Sequence, residues 1–217
     1  MFSGGLDSSF ISLILKQQKK DFTCFSVGLE NSPDLQYAKE VADYLNLKLK
    51  IKVLALDKIE KDIKKVIEII KSKETVKVSV ALVAYSALEL AKENNVSRLF
   101  SGLGSEEIFA GYQRHVEALK KDFKALHEEC WQGLKNIWDR DLVRDYLIAK
   151  HFNIELLTPF LDEEVIITAM EIHPSYKITN ENKKAILAEI AEDSGLGKFA
   201  WRKKKAAQYG SNVQKAL

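Results

Sequence analysis

The sequence predicts a doubly wound α/β fold, a parallel sheet with helices on both faces, followed by a helical part. Three observations predict it. Short apolar runs alternate with helical periodicities through the first half, and two glycine-bearing turns follow strand-like segments. Beyond about residue 113 only helical patterns and loops are legible, so the chain divides into an α/β core at 1–112 and a C-terminal part at 113–217.

Taken in order, Leu6, Phe10, Leu13 and Ile14 fall on one helical face, which predicts a helix over 7–20. Phe22 to Val27 is a compact apolar run ended by Gly28, the pattern of a buried strand. Ser32 followed by Pro33 reads as an N-cap with proline at N1, opening a helix to about Asn46. Residues 47–53 alternate leucine, isoleucine and valine with lysine, a period of two with one wet face. Lysine on a strand discourages edge-to-edge aggregation, so this strand is expected at the sheet edge. Ile59, Ile63, Val66, Ile67 and Ile70 set an amphipathic helix. Residues 78–93 are apolar nearly all round and predict a buried helix, and Val96 to Phe100 predicts a further strand.

Composition narrows the function classes. The chain has 217 residues, 46% of them hydrophobic, enough for one substantial core. Charged residues make up 29%, with a formal net charge of +2, which gives no reason to expect a nucleic-acid or membrane binder. No apolar run reaches the roughly 18–20 residues that span a bilayer. The two cysteines, Cys24 and Cys130, cannot make a disulfide framework or a four-ligand zinc site. The expectation is a soluble cytoplasmic protein. Cys24 reads as a core residue, the Trp131 and Trp138 pair as helical packing, and His115 as a pocket or helix-surface residue.

In a parallel open sheet, ligands collect at the carboxyl ends of the strands. The segments expected there are Ser3-Gly4-Gly5-Leu6-Asp7-Ser8-Ser9 and Ser101-Gly102-Leu103-Gly104-Ser105-Glu106-Glu107. The first is a glycine-rich turn running into a helix N-terminus, where free N–H groups and the helix dipole favour phosphate. Ser8 and Ser9 add hydroxyl donors, and Asp7 can hold a divalent cation that bridges phosphate oxygens. No Gly-Lys-Ser/Thr follows, so this is not a Walker A loop. Standing alone, the loop reads equally well as a tight turn with serine caps.

Four elements in order change that balance. The first loop resembles the pyrophosphate-binding loop of the N-type ATP pyrophosphatases. Ser101 to Tyr112 resembles the second signature of the asparagine synthetase branch. Thr158-Pro159-Phe160-Leu161-Asp162 is similar to that family's P-F-L-D element, with Glu155 placed as in its preceding I-E segment. Arg202-Lys203-Lys204 and Gly210 fit its R-x-K…G pattern. The resemblance implies an adenine nucleotide alpha hydrolase-like fold and an ATP-dependent amide ligase. A carboxylate, in the family the aspartate side chain, would be activated as an acyl-adenylate with release of pyrophosphate, and ammonia would then form the amide.

The same resemblance implies the roles. Ser3, Gly4, Gly5, Leu6, Asp7, Ser8 and Ser9 would bind the ATP phosphates. Val27, Ser101 and Gly102 would meet adenosine or ribose through backbone. Asp7 and Glu106 would hold Mg2+. Lys204 would stabilise the adenylation transition state, with Arg202 beside it; by itself the run Lys203-Lys204-Lys205 also reads as solvated surface charge. Leu103 stands where the synthetases carry glutamate, Glu106 where they carry aspartate, and Leu157 where arginine is common. These departures keep two alternatives open: a different carboxylate or nucleophile, or a nucleotide-binding partner subunit without catalysis. The family's glutaminase domain is not in this sequence, so ammonia would be free or delivered by an upstream domain or subunit. Only Met1 and Phe2 precede Ser3, whereas a central strand runs about five or six residues, which predicts a longer parent product.

Overall fold

A computed structural model describes residues 1–179, 182–203 and 206–216. The first half runs α1 (Leu6–Gln17), β1 (Cys24–Gly28), α2 (Pro33–Tyr44), β2 (Leu49–Val53), α3 (Leu56–Ile70), α4 (Thr75–Glu93) and β3 (Arg98–Phe100). The rest runs α5 (Ser105–Ile108), α6 (Gln113–Leu119), α7 (Phe123–Ile137), α8 (Val143–His151), β4 (Glu155–Leu157), α9 (Glu163–Glu171), α10 (Ala185–Ala191) and α11 (Ala207–Gly210).

The strands are parallel, as the alternation predicts. β1 pairs with β2 from Cys24 opposite Leu49 to Gly28 opposite Val53, and β3 pairs with β4 from Arg98 opposite Glu155 to Phe100 opposite Leu157. β4 departs from the expectation of helices and loops beyond residue 113. Three residues are too few to show a period of two, and this strand exists because β3 offers it a partner. Among the described residues β2 pairs only with β1, which puts the lysine-alternating strand at an edge.

The two pairs are not hydrogen-bonded to each other; Met1 and Phe2 run between them. The Phe2 N–H donates to the Phe25 carbonyl at 2.8 Å, and the Met1 amine to the Phe100 carbonyl at 2.5 Å. A cavity of about 370 Å³ lies along this seam, lined in part by Met1, Phe2, Ile11, Cys24, Phe25 and Leu99.

Side chains that alternate along the strands bury both faces. Phe25, Val27, Leu99 and Leu156 point into one core with Val66, Leu82, Leu88 and Ile148 from α3, α4 and α8. Cys24 points to the opposite face, against Leu13, Val41 and Ala191 from α1, α2 and α10. Phe100 joins a third cluster built on Ile11, Ile108, Leu126 and Leu187. Helices on both faces of parallel strands make the fold doubly wound. α4 is apolar nearly all round because it packs at once against β1, α3 and α8. No described helix is long and apolar enough to cross a membrane.

Local chemistry sets the element ends. Pro33 opens α2, but the Ser32 hydroxyl is buried without a partner and makes no capping bond. Asp122 caps α7 by accepting from the Ala125 N–H at 2.6 Å. Asp162 caps α9 by accepting from the Glu164 N–H at 3.1 Å. Trp131 and Trp138 are 40% and 54% exposed, packed on helical neighbours, His127 and Tyr146, and not in the core. Trp131 also donates its indole N–H to His127 at 3.0 Å. Cys24 is buried in its strand as expected.

His115 is fully buried, not on the helix surface, and its Nδ1 accepts the Tyr112 N–H at 3.1 Å at the start of α6. Burial, aided by the Arg114 charge, pushes its pKa down to about 3. In the unfolded chain the same ring takes a proton near about pH 6.5. Acid therefore favours the unfolded state, and the His115 contribution is full above about pH 6.5 and lost as pH falls toward 3.

Two expectations follow for stability. Urea unfolding at pH 7 and pH 5 should show a loss to which His115 contributes about 2 kcal/mol. The His115→Gln variant should lose that share of the pH dependence; an unchanged slope would contradict a neutral buried ring. Gly4 has φ +66°, and a Cβ there would fall inside the backbone of Tyr37 and 2.7 Å from the Ala38 nitrogen. Gly4→Ala should cost more than about 2 kcal/mol in the same assay, since neither backbone can yield.

Candidate nucleotide site

The first loop turns where Met1 and Phe2 leave the seam between the strand pairs. Gly4 takes a left-handed conformation that sets the turn hard against α2. Gly5, extended at φ −81° and ψ 164°, is the N-cap of α1, so Leu6, Asp7 and Ser8 form its first turn. The serines tie the loop to itself. The Ser3 N–H donates to Ser8 Oγ at 3.3 Å, and the Ser8 hydroxyl donates to the Gly5 carbonyl at 3.2 Å. Ser9 is buried, with an unpartnered hydroxyl. A glycine turn at the N-terminus of a twelve-residue helix is a geometry that receives anions.

The second loop leaves the carboxyl end of β3 and packs on the first. The Ser101 N–H donates to the Leu157 carbonyl at 2.8 Å, continuing the β3–β4 ladder. A Cβ on Gly102 would lie 2.9 Å from Asp7 Cβ, so only glycine lets the loops meet this closely. Gly104 is left-handed at φ +97°, and a Cβ there would strike Leu161 at 2.5 Å. The P-F-L-D element thus braces the second loop: Phe160 is buried, Leu161 covers Gly104 and Asp162 caps α9. Glu155 lies elsewhere, exposed at the start of β4 and paired with Arg98 at 2.8 Å.

Successive residues on a helix point about 100° apart, and this separates two adjacent acids. Glu107 turns inward, where burial raises its pKa against the opposing pull of the Arg140 guanidinium it pairs with. Glu106 turns toward Asp7, and the two carboxylates converge on Lys184. Its Nζ lies 2.8 Å from Asp7 Oδ1, 2.7 Å from Glu106 Oε1 and 3.0 Å from Ser105 Oγ. Burial works against the Lys184 charge, but Asp7 and Glu106 outweigh it and hold its pKa above the ordinary lysine value. Lys184 stands at the N-cap of α10, where a cation opposes the helix dipole. That misplacement is the sequence signal by which it could have been found.

Two carboxylates within reach of one cation suit Mg2+, which takes one or two carboxylates and completes its shell with phosphate and water. Among the described residues no larger group of His, Cys, Asp and Glu forms a metal cage. The donor set fits a metal that arrives with a phosphate ligand.

The remaining expected residues surround this centre. Val27 has its side chain in the core, leaving backbone to face the carboxyl end of β1. The next residues meet the C-terminal segment, where the Leu29 N–H donates to the Ser211 carbonyl at 2.9 Å. Gly210 lies against Asp34, whose carboxylate would be 2.7 Å or less from a Cβ there. Arg202 sits one layer behind the first loop. Its guanidinium stacks on the Tyr37 ring at 4.0 Å and pairs with Glu40, while the Tyr37 backbone abuts Gly4. Lys204 lies outside the described residues.

Comparison with known proteins agrees with the motifs. The sequence model of the asparagine synthase family matches residues 1–125 and 118–216. A Methanocaldococcus jannaschii protein provisionally named glutamine-hydrolysing asparagine synthetase 1 is 33% identical over 248 residues, covering 99% of this chain and 46% of its own length. Glutamine-hydrolysing asparagine synthetase B of Escherichia coli is 31% identical over 222 residues, 94% of this chain and 40% of that protein. The chain thus spans less than half of either relative. A solved structure titled as a predicted subunit of a tRNA methyltransferase from M. jannaschii is 19% identical, covers 90% of this chain and 87% of that chain, and has a TM-score of 0.42. With signature loops, bracing element and C-terminal pattern in order along one α/β chain, the protein belongs to the asparagine synthase family.

Proposed function

We propose that this chain is the synthetase part of an ATP-dependent amide ligase, converting a carboxylate, the aspartate side chain first among them, to its amide. The observation that carries this reading is the convergence of Asp7, in the first turn of α1, and Glu106, in α5 after β3, beside a glycine turn at a helix N-terminus. The names of the relatives support the same chemistry.

The residues act by binding and by charge. The N–H groups after Gly5 and the hydroxyls of Ser3, Ser8 and Ser9 receive the phosphates, while the backbone of Val27, Ser101 and Gly102 positions adenosine. Asp7 and Glu106 hold Mg2+, which when bound neutralises phosphate charge. A carboxylate oxygen then attacks the α-phosphorus, the bond to pyrophosphate breaks, and an acyl-adenylate forms. Ammonia attacks the acyl carbon, loses a proton and expels AMP. Hydroxide is a poor leaving group and AMP a good one, which is why activation precedes amidation. Lys204 meets the charge that develops during activation. Arg202, stacked on Tyr37 behind the first loop, fixes its own end of the R-x-K pattern. Ammonia is taken free or from a glutaminase domain or subunit upstream. The two cysteines, both buried and free, suit the reducing cytoplasm.

Leu103 favours a second reading. In sequence it lies between Gly102, which packs on Asp7, and Gly104, which packs on Leu161, and it puts an apolar residue where the synthetases carry glutamate. That exchange supports a carboxylate or nucleophile other than aspartate and ammonia. Pyrophosphate release from ATP and magnesium, screened over amino acids with and without ammonium, separates the readings. Release with aspartate and ammonium supports the first, release with another pair the second, and none with any pair a subunit without catalysis.

Two variant sets test the site. Asp7→Asn and Glu106→Gln should each weaken magnesium-dependent nucleotide binding by about tenfold or more, read by titration calorimetry across magnesium concentrations. Wild-type magnesium dependence in both would remove the metal assignment. Lys204→Met should change stability by less than about 1 kcal/mol but slow pyrophosphate release by roughly a hundredfold. Equal losses from Lys203 and Lys205 substitutions would mark the run as a nonspecific basic segment.

A further inference from the structure

We propose that Lys184 is a tethered counter-ion: its ammonium occupies the divalent-cation position in the nucleotide-free protein, holds Asp7 and Glu106 in place, and keeps free metal out. The inference rests on the reading of Asp7 and Glu106 as the metal carboxylates. It adds a positioning residue that none of the motif matches includes.

Four features of the structure support it. The Lys184 ammonium makes its contacts where a cation bound by both carboxylates would lie, at 2.8 Å from Asp7 and 2.7 Å from Glu106. The side chain is only 7% exposed, so the ammonium is enclosed in the site rather than lying over it. Gly111 makes room for the arrangement, since a Cβ there would lie 2.7 Å from the Glu106 carboxyl carbon and collide with the Lys184 stem. Lys184 itself adopts φ 55° at the N-cap of α10, a left-handed conformation that a lysine rarely takes.

Electrostatics then dictates an exchange. Asp7 and Glu106 come from separate loops and would repel each other without a cation between them. A dication and the ammonium cannot share one pair of carboxylates, because like charges a few ångströms apart in a buried site repel strongly. Metal entry therefore requires the ammonium to leave, and a buried ammonium needs another anion to leave for. An arriving polyphosphate brings that charge. Lys184 thus makes metal binding conditional on nucleotide, while keeping both carboxylates aimed at the site beforehand.

The test uses Mn2+ as the metal probe, with free ion counted by electron paramagnetic resonance, and a non-hydrolysable α,β-methylene ATP analogue. Wild-type protein should bind Mn2+ weakly alone and tightly with the analogue. Lys184→Met should bind Mn2+ without nucleotide at least about tenfold more tightly than wild type, and adding Glu106→Gln should abolish the gain. A folded Lys184→Met protein with no gain, or a gain that survives Glu106→Gln, overturns the proposal. Should Lys184→Met fail to fold, the wild type still decides through its lysine ammonium signals in 15N NMR, with Lys184 assigned by its loss in Lys184→Arg. The signal should be unmoved by millimolar Mg2+ alone and shifted by Mg2+ with the analogue; a shift with Mg2+ alone, or none with both, overturns the exchange. Failure of the underlying reading is distinct: analogue-bound wild type would then hold Mn2+ no better than Glu106→Gln, and both proposals fall.

Discussion

The ion pairs of Lys184 with Asp7 and Glu106 join three stretches of chain that nothing in the local sequence brings together. Asp7 opens α1, Glu106 lies in the turn after β3, and Lys184 precedes α10. A charge enclosed this deeply is tolerated only where opposite charges meet it at close range. Removing Lys184 would leave two converging carboxylates without their shared cation, whereas removing either acid would leave the ammonium one partner. The constraint reaches outward: at Gly102 a Cβ would press on Asp7, and at Gly111 on Glu106 and Lys184, so glycine at both positions lets the charged groups meet.

The sheet supplies the platform. Parallel strands put their carboxyl ends on one side, so the loops after the first segment and after β3 are neighbours by topology. Both faces are covered, and the core under the strands depends on the apolar surround of α4. The C-terminal part completes the site rather than appending to it. β4 pairs with β3, Leu161 braces Gly104, and Ser211 accepts a hydrogen bond from Leu29.

Much of this was legible in residues alone. The two loops announced themselves through glycines next to a helix start, and the lysine-alternating strand through its period of two. The order of helices and strands up to residue 100 matched because each spans enough residues to show its repeat. β4 had no such length and was invisible. The burial of His115 and the exposure of the tryptophans were not legible for a related reason: one helical face can be covered or left bare by elements far away in sequence, and periodicity does not say which. The buried His115 cap and the exposed Trp131 are both decided by what packs against α6 and α7.

By itself, the sequence determined the family and the parallel α/β order of the first half, since each depends on short-range pattern. Only the tertiary structure decided that Glu106 faces Asp7 while Glu107 faces Arg140, that Arg202 stands behind the loop on Tyr37, and that Lys184 lies between the acids. The physical reason is that ion pairing acts through space at a few ångströms. Asp7 and Lys184 are separated by 177 positions of chain, and no local propensity records a contact between them.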